Sequence, residues 1–313
     1  MDVLADVLTS TGFEGVLLNQ VRSGGSDWGC ALDQADTAGF HLVAEGACWI
    51  RVGDRPPLQL VSGDVLLLPR GTAHELLGNP DAQAQPYGRL AADHLREREG
   101  VVDLGGEGPT ARVVCGKFRY ATPTATHPVL SALPETVHVP GMAADPQLQG
   151  VVRLLAAESV NGRPGSRVVA TRLTEVLFVL TVRNWLDRTD GDDAGPSWLT
   201  ALRDPRIGSA LSLMHDQPHE DWTVESLART VAMSRPAFAR QFKTTVGTTP
   251  VAYLSQVRLN QAARLLRETD DPIPAIAHNV GYTSEFAFSR AFTRERGLAP
   301  GRYRRTATAR HDA

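Results

Sequence analysis

Along the first 140 residues, apolar positions come in short runs cut by Gly, Asp and Pro. The runs FHLVAE, CWIRV, LQLV, VLLLP and ARVVCGKF are short and rich in β-branched and other apolar residues. This punctuation predicts a set of short strands closing into a β-sandwich or barrel. GDRPP, Gly53–Pro57, reads as a hairpin turn between two of them. From about residue 147 the period changes. LQGVVRLLAAES and SRVVATRLTEVLFVLTVRNWLDR carry apolar residues at helical spacing, and the second sets Leu173, Val176, Leu177 and Leu180 along one side. A helix with that much apolar surface needs a cover, either the barrel or the same helix of a second subunit. RTDGDDAGPS, Arg188–Ser197, is polar and dense in Gly, Asp and Pro, and reads as a linker.

The last hundred residues repeat. Phe238, Phe242, Gly247, Pro250 and Tyr253 recur 50 residues on as Phe288, Phe292, Gly297, Pro300 and Tyr303. Upstream, Val224, Leu227, Ala228 and Val231 recur as Ile273, Ile276, Ala277 and Val280, one residue out of step. That step falls where VAMS becomes VGYTS, so it marks a turn whose length differs by one. Each unit is a short helix, a tight turn, and a second helix with Ser234 or Ser284 at its N-cap. The paired Phe residues, spaced i and i+4, share the inward face of that second helix. The outward faces carry Arg235, Arg240 and Lys243 in the first unit, and Ser289, Arg290 and Arg294 in the second. An apolar back and a basic front after a short helix and turn is the grammar of a helix-turn-helix. Val251–Glu268 forms a longer helix that joins the units. Two such helices on one scaffold can enter successive major grooves, about 34 Å apart.

Charge agrees with this division. The chain of 313 residues has a net charge of −3, but residues 201–313 carry 16 Lys and Arg against 11 Asp and Glu, leaving the first 200 residues acidic. A basic tail on an acidic body points to nucleic-acid contact by the tail alone. No basic flank precedes an apolar core at the N-terminus, and VLFVLTV is too short to span a bilayer, so no membrane association is expected. Three cysteines, Cys30, Cys48 and Cys115, do not form a disulfide framework, which favours the cytoplasm.

Residues from about 206 to 306 resemble the DNA-binding domain of the AraC/XylS family of bacterial transcription regulators. The carrying segment is IAHNVGYTSEFAFSRAFTRERGLAPGRYRR, which follows that family's signature from Ile-Ala through Gly-Tyr, Ser, Phe, Phe and Gly to Pro-x-x-Tyr-Arg. The resemblance places base-facing residues at Pro236, Ala239 and Arg240 in the first recognition helix, and at Glu285, Phe286, Ser289 and Arg290 in the second. Arg240 is the strongest base reader of the first helix, with bidentate contact to guanine as its mode.

GDVLLLPRGTAHELLGN, Gly63–Asn79, resembles the second cupin motif: Gly, five residues, Pro-x-Gly, two residues, His74. The first cupin motif, His-x-His followed by Glu, reads here as HLVAEG, with His41 in place and Val43 where the second His belongs. Glu45 is expected on the same strand face as His41. A cupin oxygenase or isomerase holds its metal with three or four side chains, and Val43 removes one. His41, His74 and Cys115 remain as candidate ligands for zinc or another divalent, thiophilic metal; the alternative is a barrel lined by His and a small buried Cys. Cys30 and Cys48 are expected to pack, although Trp28–Cys30 stands where it could close one barrel end.

The segments GSDW, PRGTAH, VVCG and LPETVHV further resemble the branch of AraC-type regulators that responds to reactive chlorine. In that branch a Cys preceding SDW acts with the Cys of VVCG. Here only Cys115 is retained, unless Cys30 substitutes, and Cys115 is the redox candidate through a sulfenic acid.

Together these readings predict an α+β chain of two domains. A cupin-like effector-sensing and dimerising β-barrel with helices spans 1–187, a linker 188–205, and an all-α double helix-turn-helix domain 206–313. The expected function is a homodimeric transcription regulator acting on double-stranded promoter DNA, and on RNA polymerase if it activates, under control of a small effector, metal or oxidant. The competing expectation is a metal-dependent cupin enzyme with an accessory DNA-binding tail.

Overall fold

In a computed structural model the structure describes residues 2–96, 100–120, 127–161, 163–188 and 195–311. They form two compact units, one of Phe13–Thr189 and the other of Met1–Gly12 with Asp190–Ala313.

The first unit is built from strands β1 (Glu14–Gly24), β2 (Gly29–Leu32), β3 (Ala38–Glu45), β4 (Ala47–Val52), β5 (Leu58–Val61), β6 (Val65–Leu68) and β7 (His74–Leu77). Further on come β8 (Gln85–Pro86), β9 (Leu95–Arg96), β10 (Val101–Asp103), β11 (Thr110–Arg119) and β12 (Val137–Val139). One sheet runs β12-β6-β3-β11-β1-β10-β9, the other β5-β4-β7-β2-β8. Pairing is antiparallel except for β1 with β10 and β2 with β8. Both sheets contribute to one apolar interior of Val43, Ile50, Leu60, Leu66, Leu68, Leu76 and Val113, as the alternation of the runs requires. In the turn between β6 and β7, Gly71 adopts φ +58°, and a Cβ there would lie 2.3 Å from the Ala35 carbonyl oxygen and 2.4 Å from that of Thr37. Only glycine fits, and its turn delivers His74 to the start of β7.

Two long helices, Pro146–Asn161 and Ser166–Arg188, pack on each other and against the larger sheet. The second supplies Phe178 to an aromatic cluster with Phe13 and Phe118, ring centroids 4.9 Å from each. Its apolar surface divides. Leu177 and Leu180 are buried, whereas Val176, Val168 and Val169 face outward, with Leu154 of the first long helix also exposed.

The second unit contains α1 (Val3–Thr11). In the notation used below, its later helices are αA (Trp198–Ala201), αB (Pro205–Asp216), αC (Val224–Thr230), αD (Arg235–Val246), αE (Pro250–Glu268), αF (Ile273–Asn279), αG (Glu285–Arg296) and αH (Pro300–His311). The αC–αD and αF–αG pairs are the two repeated units. Ser234 and Ser284 accept from the backbone N–H of Ala237 and Ala287, capping αD and αG. Gly247 (φ +85°) and Gly297 (φ +70°) end them in the left-handed conformation. Phe238, Phe242, Phe288 and Phe292 are fully buried, and αE contacts both pairs.

Two findings differ from the expected domain boundaries. Residues 189–194 of the 188–205 linker lie outside the described residues, but its end is structured: αA carries a Ser197–Thr200 capping box and buries Trp198, Leu199 and Ala201. In addition, α1 joins the helical unit rather than the barrel. Its Val3, Leu4, Val7 and Leu8 are buried, and it contacts αE and αB. Asp6 Oδ2 lies 2.6 Å from His215 Nδ1, whose Nε2 is 2.9 Å from the Tyr253 hydroxyl. Arg267 donates to the Ser10 carbonyl at 2.6 Å.

Candidate nucleic-acid interface and sensor centre

The recognition faces of αD and αG follow from their caps and aromatic backs. With the Phe pairs inward, Arg235, Pro236, Arg240 and Lys243 stand exposed on αD, and Ala239 is half-buried. On αG, Glu285, Phe286, Arg290 and Arg294 stand exposed, and Ser289 is half-buried. Ser234 and Ser284 are exposed too, but their hydroxyls are committed to capping. Arg235 is ion-paired with Glu225 of αC, which draws it toward the helical unit's own surface. Arg240 and Arg290 occupy equivalent places one repeat apart, and guanidinium groups in such places suit bidentate contact with guanine.

In the barrel, β-sheet register brings two of the three candidate ligands together. Cys115 on β11 pairs directly with His41 on β3, and Val113 with Val43, so all four point into the interior. Val43 fills the position that the first cupin motif gives to its second His. Glu45 ends its strand against Gly46 (φ +71°) and turns outward, 3.7 Å from Arg112 and mostly exposed, so it takes no part in the centre.

His41 and His74 meet with Nε2 atoms 2.7 Å apart, and Cys115 Sγ lies 3.1 Å from His41 Nδ1. His74 Nδ1 is 2.7 Å from the Thr72 carbonyl oxygen. A carbonyl only accepts, so His74 carries its proton on Nδ1 and offers a lone pair at Nε2. His41 Nε2–H then donates to His74, and His41 Nδ1 accepts the Cys115 thiol proton. A chain results from Cys115 to His41 to His74 to the Thr72 carbonyl, with the Val113 carbonyl as a second, longer acceptor 3.9 Å from the Cys115 sulfur. Thr72 was not among the sequence candidates, because backbone carbonyls leave no residue-type signal.

Burial sets the charge state of this chain. It holds the His41 imidazole well below the usual histidine range, with the adjoining His74 adding to the effect, and lowers His74 as well, against the opposing hydrogen bond to Thr72. Burial likewise raises the Cys115 thiol, with Cys30 and Cys48 adding to the effect. Cys30 and Cys48 are themselves pushed up to about 12 by burial. All three cysteines line the same apolar interior. The resting centre is therefore a neutral thiol at one end of a pair of neutral imidazoles.

The expected three-ligand metal site is not what these side chains form. An ion held by both His Nε2 atoms has Cys115 behind the His41 ring, on the opposite nitrogen, and the sulfur cannot reach it. Among the described residues no group of three or more His, Cys, Asp or Glu is placed to hold a metal ion. Zinc does not fit this donor set as arranged. Spacing along the strands revealed the shared face, but not which ring nitrogen each partner meets.

Comparison with known proteins covers both units. The family described as "Cupin" matches residues 2–187, and that described as "Helix-turn-helix domain" matches residues 227–306. A putative AraC-like transcription regulator of Streptomyces antibioticus is 38% identical over 309 residues, covering 97% of this chain and 99% of the relative. The RCS-specific HTH-type transcriptional activator RclR of Escherichia coli is 30% identical over 285 residues, 90% of this chain and 89% of the relative. The crystal structure of the DNA-binding domain of AdpA with a target DNA shares 34% identity, covering 34% of this chain and 96% of that one, with a TM-score of 0.33.

Proposed function

The chain belongs to the AraC-like transcription regulators that join a cupin domain to a helix-turn-helix domain, and from that premise we propose that its barrel senses a thiol-directed oxidant through Cys115. It is a DNA-binding transcription regulator rather than a cupin enzyme with an accessory tail. The observation that carries the sensor reading is the Cys115–His41–His74 chain. It supplies an oxidisable sulfur with a base in contact and a second imidazole that is only partly buried.

The chemistry balances with a peroxide as the oxidant. The sulfur gives an electron pair to the terminal peroxide oxygen as the O–O bond breaks. The thiol proton passes to His41 Nδ1, and the His41 Nε2 proton passes to His74. The departing alkoxide or hydroxide takes a proton from His74, leaving Cys115 as sulfenic acid and the peroxide as alcohol or water. Because burial keeps the thiol protonated, the base in contact, rather than a standing thiolate, makes the step accessible.

The working form is a homodimer in the cytoplasm on promoter DNA, with RNA polymerase as a further partner if the outcome is activation. The outward stripe of Val168, Val169, Val176 and Leu154 supports pairing of the long helices between subunits. Oxidation biases the equilibrium between dimer arrangements that do and do not place both DNA-binding units on adjacent half-sites.

Treating the full chain with hydrogen peroxide and trapping sulfenic acid for mass spectrometry tests the sensor. The expected adduct is on Cys115, forms at least about tenfold more slowly in His41→Phe, and accompanies a change in promoter-DNA affinity that Cys115→Ser abolishes. An affinity change of equal size in Cys115→Ser would sink the assignment.

A further inference from the structure

The two recognition helices are copies of one another that differ at a position facing DNA. Arg240 and Arg290 are equivalent, but the residue four positions before each is Pro236 in αD and Phe286 in αG. Phe286 is 71% exposed, an unusual place for a large aromatic ring among helices whose other Phe residues are fully buried. The Arg290 guanidinium carbon sits over that ring, 5.7 Å from its centroid, within cation–π range. Phe286 is not part of the core that holds Phe288 and Phe292.

We infer that αG reads a guanine with a thymine beside it, Phe286 packing on the thymine C5 methyl group while Arg290, steadied by the same ring, contacts the guanine; this rests on the DNA-binding reading above. Thymine alone of the four bases offers a methyl group in the major groove, and an exposed apolar ring is the side chain that suits it. The guanine O6 and N7 acceptors suit the fork of Arg290. αD has the arginine without the ring: Pro236 offers no comparable face, and its neighbour Arg235 is ion-paired with Glu225. The two half-sites are thus both guanine-bearing, and only the one under αG is methyl-dependent. The internal repeat supplies its own control.

Selection of binding sites by the full chain from a random duplex library tests this, followed by thymine-to-uracil replacement in the selected site, which removes only the methyl group. The expected motif holds a guanine in each half and a neighbouring thymine preferred in one. Uracil there weakens binding about fourfold, the worth of one methyl group moved out of water, and the difference vanishes in Phe286→Ala. Being exposed, Phe286 can be removed without disturbing the fold, and circular dichroism checks that it has been. Arg290→Ala weakens binding about tenfold or more and relaxes the guanine preference in that half. A selected motif with no preferred thymine beside a guanine, or uracil bound as well as thymine, overturns the inference and leaves sequence-specific DNA binding standing. Failure to enrich any motif overturns the DNA-binding reading itself.

Discussion

Replacing Phe288 with Ala unfolds the second helix-turn-helix unit and abolishes sequence-specific DNA binding, while the barrel keeps its structure. Phe288 is fully buried and packs against Tyr282 and Phe292, with ring centroids 5.5 and 5.6 Å away. It shares one core with Leu259, Ala262, Ala263, Leu266, Ile276, Ala277 and Val280. Removing such a side chain costs about 3–5 kcal/mol, because the lost transfer energy is compounded by a cavity that stiff neighbours cannot refill. Whole domains are stable by about 5–15 kcal/mol, so the loss is a large share of what the helical unit has. The exposed face of αG contributes little to this balance, and its cap at Ser284 cannot hold a helix whose apolar back has gone. Hydrogen exchange read by mass spectrometry should show lost protection in αF, αG and the C-terminal half of αE. Amides of β3 and β11 should stay protected. Equal loss in both units would mean that they do not fold independently.

Deleting residues 2–12 should destabilise the helical unit by about 3 kcal/mol or more, although these residues precede the barrel in the chain. The deletion uncovers the surface of αE and αB on which Val3, Leu4, Val7 and Leu8 are buried. Each such side chain is worth about 1.5–3 kcal/mol on burial, offset by the conformational entropy of ordering one short helix. His215, almost wholly buried, loses its partner Asp6, and Arg267 loses the Ser10 carbonyl. Urea unfolding of the deletion variant, with exchange protection reporting each unit separately, should show αB and αE opening at lower denaturant and β11 unchanged. A shift confined to the barrel would place α1 there after all.

The helical unit was legible because each of its parts is local. The i and i+4 aromatic pairs, the Ser caps and the Gly stops all fall between Ser234 and Gly247, and again between Ser284 and Gly297. Strands β3, β4, β5, β6 and β11 were visible as short apolar runs, but β1, the longest strand, was not among them. α1 was not picked out from the sequence. Its apolar residues at 3, 4, 7 and 8, the Asp2 cap and the Gly12 stop mark a helix, but an amphipathic face does not say which distant surface it covers. The His41–His74–Cys115 centre was half legible. Strand period two put His41 and Val43 on one face, and the Pro-x-Gly turn brought His74 in. Ring orientation, a tertiary property, was not legible: Cys115 faces Nδ1 of His41, whereas His74 faces Nε2. Glu45 failed for a similar reason, since the strand ends there and the side chain swings to Arg112.

The central claim is that two equivalent helices, αD and αG, read DNA side by side, and hydroxyl-radical footprinting of the full chain on its selected site tests it most directly. Two protected stretches should appear about 34 Å apart along the duplex. Arg240→Ala should weaken protection mainly in one stretch and Arg290→Ala mainly in the other. Protection that ignores both substitutions, or that spreads along any duplex without regard to sequence, would contradict the account.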